Sequence, residues 1–118
     1  MTVLGTAMAV AAVPFDEVQA FLTEERCKRL LGLDQANPAG VSVDADPAAG
    51  TVGMQGQYWY RGEYTFAAHP DGTEITYRIV NVSGSPDAVI RLWQRKVLNN
   101  QQRDLDAFAA DLPSRLRG

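Results

Sequence analysis

The chain has 118 residues, of which 46% are hydrophobic, and carries a formal net charge of -3 at pH 7 with a pI near 5.0. That length accommodates one domain, so residues 1–118 are treated as a single unit with enough apolar residues for one core. The acidic balance and the scattered Lys and Arg residues exclude a general nucleic-acid surface, because such a surface needs clustered basic charge.

The cysteine content and the N-terminal stretch bear on localisation. Cys27 is the only cysteine, so neither an intrachain disulfide nor a four-thiolate zinc site can form. Residues 1–12 are small and apolar, but the first basic residue is Arg26, whereas a secretion signal begins with basic residues. No run of about 18 apolar residues occurs, so we expect no membrane span and a cytoplasmic protein.

Residues 2–12 predict a first strand. They are poor in charge, and Leu4, Met8 and Val10 occupy even positions along it. Because side chains alternate between the two faces of a strand, this spacing predicts that the three residues share its buried face.

Two short helices are predicted after this strand. Pro14 suits the start of the first one, since its missing N–H is not needed in a first turn. Thr23 can cap the second helix, with Leu22 and Cys27 packed across the cap. Gly32 is expected to end that helix.

The middle of the chain predicts an antiparallel meander. Residues 41–46 form a short strand, residues 51–69 a long extended stretch and residues 73–82 a return strand. The sequence HPDG at residues 69–72 provides the turn, because Pro fixes φ and Gly permits a positive φ. The glycines of the extended stretch are interpreted as bulges or bends: Gly53, Gly56 and Gly62.

Aromatic residues alternate with polar ones along QYWYRGEYTF, residues 57–66. The even positions, which are predicted to face inward, carry Tyr58, Tyr60, Tyr64 and Phe66. A buried tyrosine hydroxyl needs a hydrogen-bond partner, and this favours a partly hydrated cavity. The alternative is a solid core in which the rings pack and their hydroxyls reach the rim.

The hairpin register follows from the length of its loop. A four-residue loop pairs Tyr64 with Tyr77 on the inner face, and it also places Glu63 opposite Arg78 on the outer face. A three-residue loop with a glycine bulge would set Glu63 against Ile79, which is chemically less favourable. We therefore predict the first register.

Residues 86–112 predict one long helix that ends before Pro113. At 100° per residue, its inward stripe contains Ile90, Val97, Phe108 and Leu112. Gln94 and Gln101 fall in the middle of this stripe, and Trp93 falls on its shoulder. An amide there either lines a cavity or binds a neighbouring backbone group, and the sequence leaves both alternatives open.

The order of elements resembles the START-like, helix-grip superfamily of SRPBCC type, which includes the polyketide cyclase/dehydrase and lipid transport group. The segments that carry the resemblance are GEYTFAAHPDGTEITYRI and PDAVIRLWQRKVLNNQQRDLDAFAADL, and the turn and strand at residues 71–76 are the most specific part. The resemblance covers nearly the whole chain. It implies an α+β fold in which a curved antiparallel sheet grips a long C-terminal helix, with a hydrophobic cavity between them.

The same resemblance implies a function, since family members bind lipids, sterols, polyketides or aromatic metabolites and a minority are enzymes. We favour binding or carriage of a small hydrophobic molecule between the sheet and the last helix. The candidate ligand-binding residues are Tyr58, Tyr60, Tyr64, Tyr77, Asn81, Trp93, Gln94, Val97 and Gln101. The usual domain of the family has seven strands, whereas about five can be placed here.

Two alternatives are kept. A cyclase- or dehydratase-type enzyme would need an acid or base in the cavity, and no inward Asp, Glu or His is obvious. A partner-binding module or homodimer would use Trp59 beside Arg61 as an anchor on the outer face.

No catalytic residue, metal site or cofactor is predicted. His69 is the only histidine and lies in the turn. Asp44 and Asp46 alternate on a strand, but two carboxylates without further oxygen ligands make a weak cation site. Cys27 lies beside two basic residues that would lower its pKa, but on a short helix it is interpreted as a packing residue.

Overall fold

The computed structural model describes residues 2–30, 42–55, 60–82 and 86–117. The described strands are β1 (Thr2–Ala11), β2 (Ser42–Asp46), β3 (Thr51–Gln55), β4 (Tyr60–His69) and β5 (Gly72–Asn81). The described helices are α1 (Phe15–Gln19), α2 (Glu24–Leu30), α3 (Asp87–Trp93), α4 (Arg95–Asn99) and α5 (Gln101–Arg117). The chain is therefore an α+β protein.

The strands form one antiparallel, open sheet in the order β1-β5-β4-β3-β2. Helix α5 packs against β1, α1 against β4 and β5, and α2 against β2. One buried cluster joins these helices to all five strands, which places the core between the sheet and the helices. Representative members are Ala7, Val18, Cys27, Val43, Val52, Phe66, Ile75 and Leu112.

The predicted register of the β4–β5 hairpin is confirmed. Tyr64 pairs with Tyr77 and Glu63 with Arg78. Pairing continues to His69 and Gly72, so only two residues remain between the strands. This register keeps the aromatic residues of β4 on the inner face of the sheet. A slip of one residue would turn all of them to the outer face.

The predicted buried face of β1 is wrong for two of its three residues. Leu4 is buried, but Met8 is 52% exposed and Val10 is 43% exposed. The pairing of β1 with β5 shifts between Val3 and Gly5. This irregularity exchanges the two faces of the strand beyond it, so that small alanines face the core: Ala7 and Ala11.

The extended stretch at residues 51–69 is a hairpin, in which β3 pairs with β4 from Thr51 and Thr65 to Gln55 and Arg61. Gly53 and Gly62 therefore lie within regular strands, which corrects their interpretation as bends. Gly56 lies outside the described residues, as do Tyr58 and Trp59.

The predicted long helix is divided into three helical segments. Gln94 has φ -110° and ψ 20°, and Asn100 has φ -94° and ψ 0°, so the helix is interrupted at both residues.

Helix α5 also continues past Pro113 to Arg117. Leu112 beside the proline is fully buried, and this packing offsets the hydrogen bond that proline cannot donate. The predicted end of α2 at Gly32 lies outside the described residues.

A side chain of α5 covers part of the open edge at β1. The Gln102 amide nitrogen donates to the Met8 carbonyl at 2.7 Å, and the Met8 N–H donates to the Gln102 oxygen at 3.4 Å. Since an unpaired strand edge can recruit another chain, this amide replaces a strand at that position and blunts the edge.

The N-terminal cap of α2 is as predicted. The Arg26 N–H donates to the Thr23 hydroxyl at 3.3 Å, and Leu22 and Cys27 are both buried.

Burial raises the pKa of the Cys27 thiol from 9.0 to about 11, so the neighbouring basic residues do not activate it. Cys27 is a packing residue.

We expect the Cys27 thiol of native protein to resist a thiol-specific reagent at mildly alkaline pH. Burial of the neutral thiol stabilises the folded protein. This contribution is fully present below the ordinary pKa of 9.0 and is lost as pH rises through the raised pKa of about 11. Spectrophotometric labelling checks this, and protein unfolded in denaturant is the control that should label at once. Rapid labelling of the native protein would contradict the burial of this thiol.

The outer face of the sheet carries a row of paired charges. Two nitrogens of Arg61 bind the two oxygens of Asp44 at 2.8 and 2.7 Å, and Glu63 lies between Arg61 and Arg78 at 3.4 and 3.6 Å. Gly53 leaves room for Arg61 to cross β3, since a Cβ there would overlap the guanidinium. The hydrogen bond and charge of Arg61 lower the pKa of Asp44.

We expect Gly53→Ala to displace Arg61 and to raise the pKa of Asp44 towards its ordinary value. The stabilising effect of this pair, at most about 1 kcal/mol for partly exposed groups, is present at neutral pH and lost as pH falls through the lowered pKa. A carboxyl NMR titration measures the change, and Arg61→Gln is the control that should give a similar Asp44 titration. An unchanged Asp44 titration in Gly53→Ala would show that Arg61 reaches Asp44 by another path.

Candidate functional site

A cavity of about 210 Å³ lies between the sheet and the C-terminal helices. The sheet contributes Tyr64 from β4, and Tyr77 and Ile79 from β5. The helices contribute Val97 from α4, and Gln101, Asp104 and Leu105 from α5. The lining is thus mainly apolar and aromatic, with an amide and a carboxylate on the helix side.

Two stacked tyrosines form the sheet wall of this cavity. The rings of Tyr64 and Tyr77 are 4.4 Å apart between centroids and inclined by 22°, and Phe108 lies 5.5 Å from Tyr64. Gly62 makes this arrangement possible, because a Cβ there would come within 2.8 Å of the Tyr77 hydroxyl oxygen. The pairing of Tyr64 with Tyr77 in the hairpin brings the two rings side by side.

Gln101 fixes the start of α5 to the sheet. Its side chain is buried, and its amide nitrogen donates to the Tyr77 carbonyl at 2.9 Å. The amide reaches this carbonyl beside Gly5, where any Cβ would overlap the Gln101 side-chain oxygen. Of the two alternatives for this amide, the structure shows the bond to a neighbouring backbone group, made by a residue that also borders the cavity.

The structure brings four of the predicted ligand-binding residues to this cavity: Tyr64, Tyr77, Val97 and Gln101. Asn81 is buried in β5 and Gln94 is half-buried where the helix is interrupted, but neither is among the described residues that line the cavity. Tyr58 lies outside the described residues, as do the side chains of Tyr60 and Trp93. The binding role of all nine residues stays a prediction.

Asp104 is a cavity residue that was missed at the level of sequence. It follows Gln101 by three residues in α5, and residues three apart lie on the same helix face, so a face that contains Gln101 also approaches Asp104. Charged residues on a helix are usually assigned to solvent, and the Asp104 side chain is indeed 68% exposed. The helical spacing therefore indicated that Asp104 lies at the cavity, but its charge led to its assignment to solvent.

A second, more open hollow of about 500 Å³ lies at the β4–β5 turn. It includes His69, whose Nδ1 accepts a hydrogen bond from the Asp71 N–H at 3.0 Å. Within residues 2–30, 42–55, 60–82 and 86–117, no group of three His, Cys, Asp or Glu residues is arranged to hold a metal ion. Over the same ranges, no helix is both long and apolar enough to cross a membrane.

Comparison with known proteins gives no match to a family model, a curated protein or a solved structure.

We expect Gln101→Leu to lower the free energy of unfolding by about 1–3 kcal/mol, because it removes the donor to the Tyr77 carbonyl. Gln94→Leu is the matched control, since Gln94 is half-buried outside the cavity lining, and it should change stability by less than about 0.5 kcal/mol. Chemical denaturation of the two variants and the parent measures both values. Equal effects of the two substitutions would mean that the Gln101 bond does not hold α5.

Proposed function

We propose that this protein binds a small, mostly apolar molecule in the cavity between Tyr64, Tyr77 and α5. The observation that carries this proposal is the cavity itself, which opens beside the stacked tyrosines. Ligand sites are typically apolar concavities with a few placed polar groups, and this lining has that character.

The volume limits the size of the ligand. An engineered apolar cavity of about 150 Å³ holds benzene, whereas sites for drug-sized ligands have about 300–1,000 Å³. A cavity of about 210 Å³ lies between these cases and suits a single ring with a short substituent. A sterol or a long acyl chain could not be enclosed within this volume.

The arrangement of elements agrees with the helix-grip proposal. An open antiparallel sheet packs against a C-terminal helix, and the cavity lies between them. Assignment to the START-like superfamily is part of our proposal and rests on this arrangement together with the sequence resemblance. Binding is preferred over catalysis because Asp104, the one carboxylate among the described lining residues, is 68% exposed. A general acid or base would be expected in a more enclosed position.

We expect Val97→Trp to abolish binding of indole by filling the cavity while the fold is retained. Val97 is 42% exposed, so the larger ring can enter the cavity without displacing a buried side chain. Leu92→Trp is the matched control, because Leu92 is 66% exposed on α3 and does not line the cavity. Saturation-transfer NMR with indole measures binding in parent and variants.

The proposal requires that the parent and Leu92→Trp bind indole and that Val97→Trp does not. Failure of the parent to bind both indole, which has two fused rings, and a single-ring compound would refute it, as would full binding by a folded Val97→Trp. Native mass spectrometry of the purified parent adds an independent readout, since a retained natural ligand would appear as a discrete added mass.

A further inference from the structure

The one charged side chain among the described residues that line the cavity is negative. Asp104 contributes a carboxylate, and the faces of the Tyr64 and Tyr77 rings carry the negative side of the aromatic quadrupole. None of the described residues that line the cavity is Lys, Arg or His. An anion would therefore meet only unfavourable or neutral groups there.

Because the described lining carries a negative charge and no positive one, we propose that the ligand is a small organic cation, namely an apolar ring that carries a protonated amine. The ring lies against Tyr77, Ile79 and Leu105, and the ammonium group lies at the cavity rim beside Asp104. This inference rests on the proposed function, because it names the chemical class that the same cavity takes.

Helix stability alone does not specify which side of α5 carries Asp104. Asp104 lies in the first turn of α5, where a carboxylate interacts favourably with the helix dipole. That interaction is available on every side of the helix, including the side away from the sheet. It does not account for a carboxylate on the cavity side, next to the apolar Leu105.

The carboxylate remains available to a ligand. Its neighbour Arg103 lies 3.4 Å away, but both side chains are largely exposed, at 74% for Arg103 and 68% for Asp104. Such an exposed pair between adjacent residues is weak. The more distant Arg115 lies over the ring of Phe108, 5.3 Å from its centroid, so one aromatic ring that packs against Tyr64 already has a cation on its face.

Two ligands of nearly equal shape test the proposal. Phenethylamine is a cation at neutral pH, and 2-phenylethanol replaces its ammonium group by a neutral hydroxyl. We expect the parent to bind the amine about two- to fivefold more tightly than the alcohol, the scale of one partly screened ion pair. Asp104→Asn should remove this preference, because it weakens binding of the amine more than binding of the alcohol.

Asp111→Asn is the matched control, because it makes the same change in net charge on α5 at a carboxylate that pairs with Arg115 and does not line the cavity. It should retain the preference for the amine, and isothermal titration calorimetry measures all combinations. If the parent binds the alcohol as tightly as the amine, or if the preference survives in Asp104→Asn, the cation proposal is wrong while binding in the cavity stands. If neither compound nor indole binds, both proposals fall.

Discussion

The hydrogen bond from the Gln101 amide to the Tyr77 carbonyl fixes the position at which α5 starts on the sheet, and the apolar face of the helix packs against the core beyond it. This hydrogen bond requires Gly5, because a side chain at that position would occupy the space of the amide. The irregular pairing of β1 beside this glycine then turns Ala7 and Ala11 toward α5. Small side chains along β1 let the helix pack closely against that strand, so one polar contact and a set of small residues act together.

The same arrangement explains why a cavity forms where it does. Close packing of α5 on β1 is possible because the strand presents alanines, whereas the neighbouring strands present the rings of Tyr64 and Tyr77. Helix α4 buries none of its residues, and the backbone at Asn100 separates it from α5. Among the described residues, α5 therefore packs along β1, and the cavity lies where α4 and the start of α5 face the two tyrosines.

The sequence predicted features that depend on local alternation and missed those that depend on backbone irregularity. The register of β4 and β5 follows from alternating aromatic residues and a short turn, and the structure has that register. The buried face of β1 could not be predicted, because one shifted pair near Gly5 exchanges the two faces. Helical spacing placed Gln101 inward, but it assumed a continuous helix, and interruptions at Gln94 and Asn100 change the phase between the residues before and after them. Asp104 was missed for a different reason, since its charge suggested solvent while its spacing from Gln101 in the same helix pointed to the cavity.

Two adjacent glutamines attach α5 to two different strands of the sheet, and these attachments distinguish the α5 side of the cavity from its α4 side. Gln101 reaches past Gly5 to β5, while Gln102 binds both backbone groups of Met8 at the outer edge of β1. A helix held at two strands cannot move away from the sheet without losing both contacts. Val97, in contrast, lines the cavity and is 42% exposed on a segment with no buried residue. The cavity therefore has one wall at α5 that is attached to two strands and another at α4 that faces solvent.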